Sequence, residues 1–255
     1  MKENNWFDPF YIQSHLSEEE SNIQKNVRDF CNNELKPTVV ERNRKNEFDQ
    51  SLYPKFGSLG VLGQTVKTHG GSGTSNLAYG LVAYEFEKID SSYRSSISVQ
   101  SSLVIHPINE FGSQEQKDKY LPKLIKGEKI GCFGLTESDD GSDHASMKTS
   151  FKKTKDGYIL NGSKNWITNA PIADIFIIWA IEENKDHKSI KGFIIEKNTE
   201  GLNTSTIENK TSLKISPTGQ IILNNVFIPN NLCLENTEGW KSVFSCLNKA
   251  RFGIS

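Results

Sequence analysis

At Lys129 the hydrophobic pattern of the chain changes period, from the three-to-four spacing of helices to the alternation of strands. A chain with this switch must combine two kinds of layer, and 255 residues are enough for more than one core. Before the switch, Ser17 to Glu20 reads as a capping box, with Ser17 at the N-cap and Glu20 at N3. It opens a helix whose apolar side carries Ile23, Val27, Phe30 and Cys31 and which Pro37 ends. A second helix is expected around Leu52 to Leu59. The loop Lys67 to Ser75 follows no strand, so its GGSG reads as a connection and not as a dinucleotide fingerprint. Leu77 to Val104 predicts a central helix, broken or kinked near its serines, and Gln114 to Leu124, with Pro122 near its end, completes the α-rich half.

Beyond Lys129, Lys152 to Leu160 alternates around Asp156-Gly157, a hairpin signal, and Ile175 to Ile181, Gly192 to Glu196 and Gln220 to Phe227 are β-rich. Helical periodicity returns at Thr237 or Glu238, with Trp240, Val243, Phe244, Leu247 and Ile254 spaced for one buried face. The helix is still running at Ser255, which reads as truncation; a short terminal helix capped by Gly253 is the alternative. Three units are expected: a helical domain over 1–128, a β domain over 129–236, and the start of a further helical domain over 237–255.

A net charge of -1 gives no basic field for nucleic acid, and no apolar run is long enough to span a bilayer. Five arginines stand among 30 basic residues, so each is worth asking about, because guanidinium offers a bidentate fork that lysine lacks. Cys31, Cys132, Cys233 and Cys246 form no CxxC pair, and His15, His69, His106, His144 and His187 show no ligand spacing. No metal is expected, and a reducing, cytoplasm-like compartment fits; if the source is eukaryotic, the mitochondrial matrix is the alternative, although MKENNWFDPF does not read as a signal or transit peptide.

Two segments carry the chemistry. Gly131 to Asp143, GCFGLTESDDGSD, gathers glycines and hydroxyls, and WITN at Trp166 to Asn169 adds an aromatic plane and a threonine. Together they suit a flat, phosphate-bearing cofactor, although glycine and serine clusters usually mark ordinary turns, and Trp166 taken by itself reads rather as a core aromatic of the β domain. Glu87, Ser91, Arg94 and Ser98 recur at four, three and four residues, one helix face. For Arg94 the plain alternative is an i, i+4 surface pair with Asp90. A hydrolase built on Ser142, Asp143 and His144 is disfavoured, because adjacent residues do not converge as a triad and GxSxG is missing.

In order and motifs the chain from Trp6 onward resembles the acyl-CoA dehydrogenase family: GCFGLTE followed by GSD, WITN, and LNKAR at Leu247 to Arg251. Within it, SSYRSSISVQSSLVIHPI at Ser91 to Ile108 and KYLPKLIKGEKIGCFGLTE look most like the glutaryl-CoA branch. The resemblance implies an α+β fold: an N-terminal helical domain, a middle β-barrel-like domain, and the start of a truncated C-terminal helical domain. It implies FAD held by Phe133, Gly134, Leu135, Thr136, Gly141 and Ser142, with Trp166, Ile167 and Thr168 lining the flavin. It places Arg94 at the distal carboxylate of glutaryl-CoA, with Glu87 holding the guanidinium and Ser95 and Ser98 as helpers. Ser142, Leu247, Asn248 and Arg251 would face the acyl-CoA. The implied reaction is oxidative decarboxylation to crotonyl-CoA and carbon dioxide, with electrons passing to an electron-transfer flavoprotein, in a homotetramer. The family's catalytic glutamate is expected beyond Ser255, leaving no catalytic residue here, so a non-catalytic FAD- or acyl-CoA-binding remnant, or an interaction protein, is the other reading. The chain departs from the family at Ser138, Asp139 and Asp140, where two acids beside a pyrophosphate would weaken binding unless they point outward.

Overall fold

The computed structural model describes residues 8, 10–143, 146–183 and 189–255; His144, His187 and the start of the resemblance at Trp6 lie outside the described residues. Helix α1 (Glu18–Phe30) begins where its capping box demands: Ser17 Oγ accepts from the Glu20 amide at 3.2 Å and the Glu20 carboxylate accepts from Ser17 N–H at 3.0 Å. Ser17→Ala is expected to lower the unfolding free energy by about 1 kcal/mol, read as a shifted urea midpoint at unchanged slope. Val27 and Cys31 are buried, and Ile23 and Phe30 pack against the same core. A π-helical turn, Cys31–Leu35, extends α1 up to Pro37. Short helices α2 (Val39–Lys45) and α3 (Leu52–Ser58) follow; the first of them has no buried residue, which is why no apolar period announced it.

The central helix expected over Leu77 to Val104 is divided: α4 (Asn76–Glu87), α5 (Ser91–Ser98), and a π-helical stretch Val99–Ile105 that runs on into α6 (His106–Phe111). Asp90 causes the first break, its backbone extended and its carboxylate capping α5 by accepting from Ser92 N–H at 2.8 Å. Helix α7 (Gln114–Ile125) carries Pro122 inside its last turn.

The second half is one curled seven-stranded sheet: β1 (Gly131–Gly134), β2 (Ser150–Lys153), β3 (Gly157–Thr168), β4 (Ile175–Glu182), β5 (Ile190–Glu196), β6 (Leu202–Thr206) and β7 (Thr218–Pro229). Its order is β1-β4-β2-β3-β7-β6, with β5 on the free side of β4; β1 and β2 run parallel to β4, and the rest pair antiparallel. Strand β4 is buried on both faces, which accounts for its unbroken apolar run. Ile175, Ile177 and Trp179 join the core shared with the helices, while Phe176, Ile178 and Ala180 fill the sheet's own cluster with Phe151, Phe193 and Ile221.

The last helix, α8 (Trp240–Phe252), buries Val243, Cys246 and Ala250. The face expected there is partly wrong: Phe244 is 42% and Ile254 62% exposed. All four cysteines are free and buried, and no described helix is long and apolar enough to cross a membrane.

Candidate functional site

A cavity of about 330 Å³ opens where the π-helical stretch, the sheet and α8 meet. It is lined by Val99 and Leu103, by Phe133, Leu135, Thr136 and Gly141, by Trp166, Ile167 and Thr168, and by Leu247 and Arg251. Residues far apart in sequence arrive here for identifiable reasons. The π turn widens the helix so that Val99 and Leu103 share the cavity while Val104 packs on β1, its methyls filling the position a Gly131 Cβ would occupy. Gln100 fastens this joint: its amide donates to Leu124 O at 3.0 Å and Lys129 O at 2.8 Å, and its oxygen accepts from Gly131 N–H at 2.9 Å.

On the sheet side, β3 slips register against β7 between Lys164 and Ile167. At this bulge Trp166 takes φ +60, leaving its side chain 60% exposed, so it is not the core aromatic of the alternative reading. Ile167 turns inward and Thr168 remains at the cavity. Asn169, at φ +69, is fully buried and donates to Tyr53 Oη at 2.8 Å and Gly131 O at 3.1 Å, tying the end of WITN to α3 and β1.

The facing loop is fixed from below. Glu137 accepts from Lys148 N–H at 2.7 Å, Thr149 N–H at 2.9 Å and the Lys164 ammonium at 2.8 Å. Burial pushes the Glu137 carboxyl up, but Lys164 and the amide donors outweigh it and leave it below its ordinary value. Of the two acids after it, Asp139 points outward to Lys148 at 2.8 Å, whereas Asp140 is 1% exposed and adds its field to that of Glu137 on Lys164.

Not every residue anticipated for the site lines this cavity. Gly134 is internal: a Cβ there would stand 2.5 Å from Ile178 Cδ1 and 3.1 Å from Lys164 Cγ, so it spaces the sheet. Ser142 is exposed on the same loop. Ser98 is buried and accepts from Tyr79 Oη at 3.2 Å. Asn248 lines a separate shallow cavity with His106 and Lys249, and accepts from Arg251 Nη1 at 3.3 Å.

Arg94 lies on α5 ahead of the π turn, its side chain 14% exposed, with Ser95 beside it half-buried. The face drawn through Glu87, Ser91, Arg94 and Ser98 is not one helix, because the break at Asp90 separates Glu87 from the rest. The break nonetheless brings them together: Glu87 accepts from Arg94 Nε at 2.8 Å and from the Ser91 hydroxyl. Burial raises the Glu87 carboxyl, and these two donors more than reverse it. The Asp90 pair does not form, since Asp90 caps α5.

The cavity can take a flat, mostly apolar ring system with polar edges, near an arginine. Its walls are aliphatic and aromatic, Thr136 and Thr168 carry hydroxyls, and a Cβ on Gly141 would meet nothing within 4 Å. Among the described residues that line it there is no carboxylate, imidazole or thiol.

Residues 17–128 match the family model for the acyl-CoA dehydrogenase N-terminal domain, and residues 132–226 that for the acyl-CoA dehydrogenase middle domain. An acyl-CoA dehydrogenase of Bacillus subtilis is 36% identical over 244 residues, 94% of this chain and 64% of the relative. A glutaryl-CoA dehydrogenase from Mycobacterium smegmatis, solved in complex with FADH2, superposes with a TM-score of 0.93 at 41% identity, covering 96% of this chain and 62% of that one. The butyryl-CoA dehydrogenase of Megasphaera elsdenii gives 0.89 at 34% identity, over 94% of this chain and 64% of its own. The chain thus spans somewhat under two thirds of the length of these relatives.

Proposed function

The chain belongs to the acyl-CoA dehydrogenase family, and on that premise we propose that it binds FAD and an acyl-CoA and serves the flavin-dependent oxidation of glutaryl-CoA. The observation that carries the reading is the cavity itself, which gathers Phe133, Leu135, Thr136, Gly141, Trp166, Ile167 and Thr168 around one space. Their chemistry fits a flavin: apolar walls for the ring faces, Trp166 exposed beside it, and hydroxyls for its polar edge. When bound, FAD supplies the hydride acceptor. Thr136 and Thr168 offer hydrogen bonds to the ring edge, where negative charge develops on reduction. Arg251, with Leu247, meets the CoA portion, and Ser142 on the same loop reaches the acyl-CoA from its exposed position. Residues 1–128, 129–236 and 237–255 are taken as its three units. The whole protein's partners in this reading are an electron-transfer flavoprotein and three further copies of itself. Its four free thiols fit a reducing, cytoplasmic compartment.

Substrate choice rests on Arg94. A monocarboxylic acyl chain ends in a methyl group and needs only an apolar wall, whereas a glutaryl chain ends in a carboxylate that must be paired when buried. Arg94 is mostly buried, and its Nε is engaged by Glu87, which fixes the guanidinium. The terminal nitrogens are the groups that would meet the carboxylate, with Ser95 and Ser98 on the same helix. Oxidation of a glutaryl chain then permits loss of the distal carboxylate as carbon dioxide, leaving crotonyl-CoA. Arg94→Ala is expected to reduce turnover of glutaryl-CoA on the order of 100-fold while leaving butyryl-CoA within a few fold. Equal losses on the two substrates would sink the carboxylate role.

The first test is direct: the purified protein is loaded with FAD, and anaerobic glutaryl-CoA is added while the flavin absorbance is followed. Bleaching by glutaryl-CoA that is faster than bleaching by butyryl-CoA is the expected result. A second reading, binding without turnover, draws on the described lining residues, none of which is an acid or base; flavin that is retained yet reduced by neither substrate would favour it.

A further inference from the structure

Beneath the cavity lies a charged group that the proposed chemistry does not use. Lys164 is fully buried, at 0% exposure, in the middle of β3. Its ammonium donates to Leu135 O at 3.0 Å and to Glu137 Oε1 at 2.8 Å, two points on the loop that forms one wall of the cavity. The next residue repeats the link: Asn165 N–H donates to Thr136 O at 2.9 Å, and its side-chain amide donates to Ser138 Oγ at 3.2 Å. Immediately after Asn165, the bulge presents Trp166, Ile167 and Thr168 as the other wall. Lys164 and Asn165 are therefore the staple between the two walls, and only Lys164 is charged.

We propose that Lys164 is a positioning residue for the cofactor cavity, its protonated amine holding the 135–140 loop against the β3 bulge so that the gap between Thr136 and Trp166 admits a flat ring system. The consequence for flavin rests on the reading above; the consequence for the loop does not.

The pair is built so that the proton matters. Neutral lysine cannot satisfy a carbonyl and a carboxylate at once through charge-assisted bonds, and Glu137 would be left as a buried, uncompensated anion. Burial pushes Lys164 down to about 8, with Glu137 and Asp140 opposing the fall. These two carboxylates are the titratable groups that face it. Around its stem β1, β4 and β7 present Gly134, Ile178 and Ile221. Its folded value lies below the ordinary 10.5. Between those two values the unfolded chain therefore holds more protons on this group, and its contribution to global stability rises with pH. Loop release that leaves Lys164 buried in β3 without Glu137 drives its value lower still, so the released state holds fewer protons and release becomes easier as pH rises towards the folded value, whereas global unfolding becomes harder above it.

The test compares the wild-type protein with Lys164→Met and Lys164→Arg at about pH 7 and about pH 9.5, on either side of the titration. Amide hydrogen exchange, corrected for its intrinsic pH dependence, is read at Lys148 and Thr149, whose N–H groups Glu137 holds, and FAD affinity is measured in parallel. In the wild type, protection at these amides is expected to fall about tenfold between the two conditions and the FAD dissociation constant to rise about tenfold, with no fall in the urea midpoint. Lys164→Met should be weakly protected at both pH values, and Lys164→Arg, always charged, should lose the pH dependence. Wild-type protection that is flat with pH, or a Met variant as protected as wild type, would overturn the proposal. If neither variant folds, the wild-type profile decides. A protein whose loop responds as expected but which takes up no FAD at any pH would sink the flavin reading and leave the staple standing.

Discussion

Glu137→Gln is expected to cost roughly 3–5 kcal/mol of folding free energy near neutral pH, the largest single effect anticipated in the molecule. The substitution keeps shape but only one acceptor oxygen, whereas Lys148 N–H bonds to Oε2 and Thr149 N–H and the Lys164 ammonium to Oε1, so one side of the site loses its acceptor and Lys164 stays buried with its charge no longer balanced. The direction with pH follows. With its partner neutral, Lys164 is driven further below its ordinary value, the folded state sheds the proton earlier than the unfolded chain, and stability of the variant climbs as pH rises. The deficit relative to wild type should therefore be greatest near pH 6–7, roughly a unit or more below the point where Lys164 titrates, and narrow on the alkaline side. Urea melts across this range check it; a deficit independent of pH would mean that packing, not charge, holds the site.

Gly131→Val should have the second largest effect. A Cβ at this position would stand 2.4 Å from Val104 Cγ1 and 2.8 Å from Cγ2, in the joint where the π-helical stretch presses on β1. Neither neighbour can withdraw: Gln100 anchors the helix to the Gly131 amide, and Asn169 holds the Gly131 carbonyl. Overpacking here is expected to cost about 3 kcal/mol. It should also part Val99 and Leu103 from Phe133 and Leu135, which line opposite sides of the cavity, so flavin retention should fall more steeply than for an equally destabilising change elsewhere in the core. Ile108→Ala, fully buried and not part of the cavity lining, provides the comparison. If both variants lose flavin in proportion to stability, the joint has no special part in shaping the cavity.

What could be read in the sequence followed from local chemistry. The Ser17 capping box, the Asp156-Gly157 hairpin and the apolar run of β4 each state their structure within a few residues, and each forms as expected. Elements without an apolar face gave no such signal: α2 buries nothing, and β6 is almost wholly exposed. The break in the central helix was legible only as a neighbourhood, because it depends on Asp90 capping α5 rather than pairing with Arg94. Spacing alone puts Phe244 on the buried face of α8, and spacing does not say how much of that face its neighbours cover.

At the site, residues with ligand-facing chemistry announced themselves, and those that hold them did not. Thr136, Trp166 and Thr168 were legible as a cluster. Lys164, in an alternating strand, reads as one more solvent-facing lysine, and nothing local reveals that Glu137 lies against it. Asn169, three residues after Trp166, gives no local sign of its part, although asparagine tolerates the positive φ it adopts and has donors for two separate elements. Gln100 is a polar residue in an apolar helix whose purpose appears only once β1 is in place.

The four cysteines, set aside as lacking any spacing, have a use of their own. Burial pushes the thiols of Cys31 and Cys246 up to about 12 and raises those of Cys132 and Cys233 as well, so none offers an accessible thiolate near neutral pH. The folded chain is therefore silent towards thiol-directed probes. A single cysteine introduced at exposed Ser138, on the rim of the loop that Asn165 engages, would be the one site to take a fluorophore, and movement of that rim could be followed in the native protein without removing a single residue of the core.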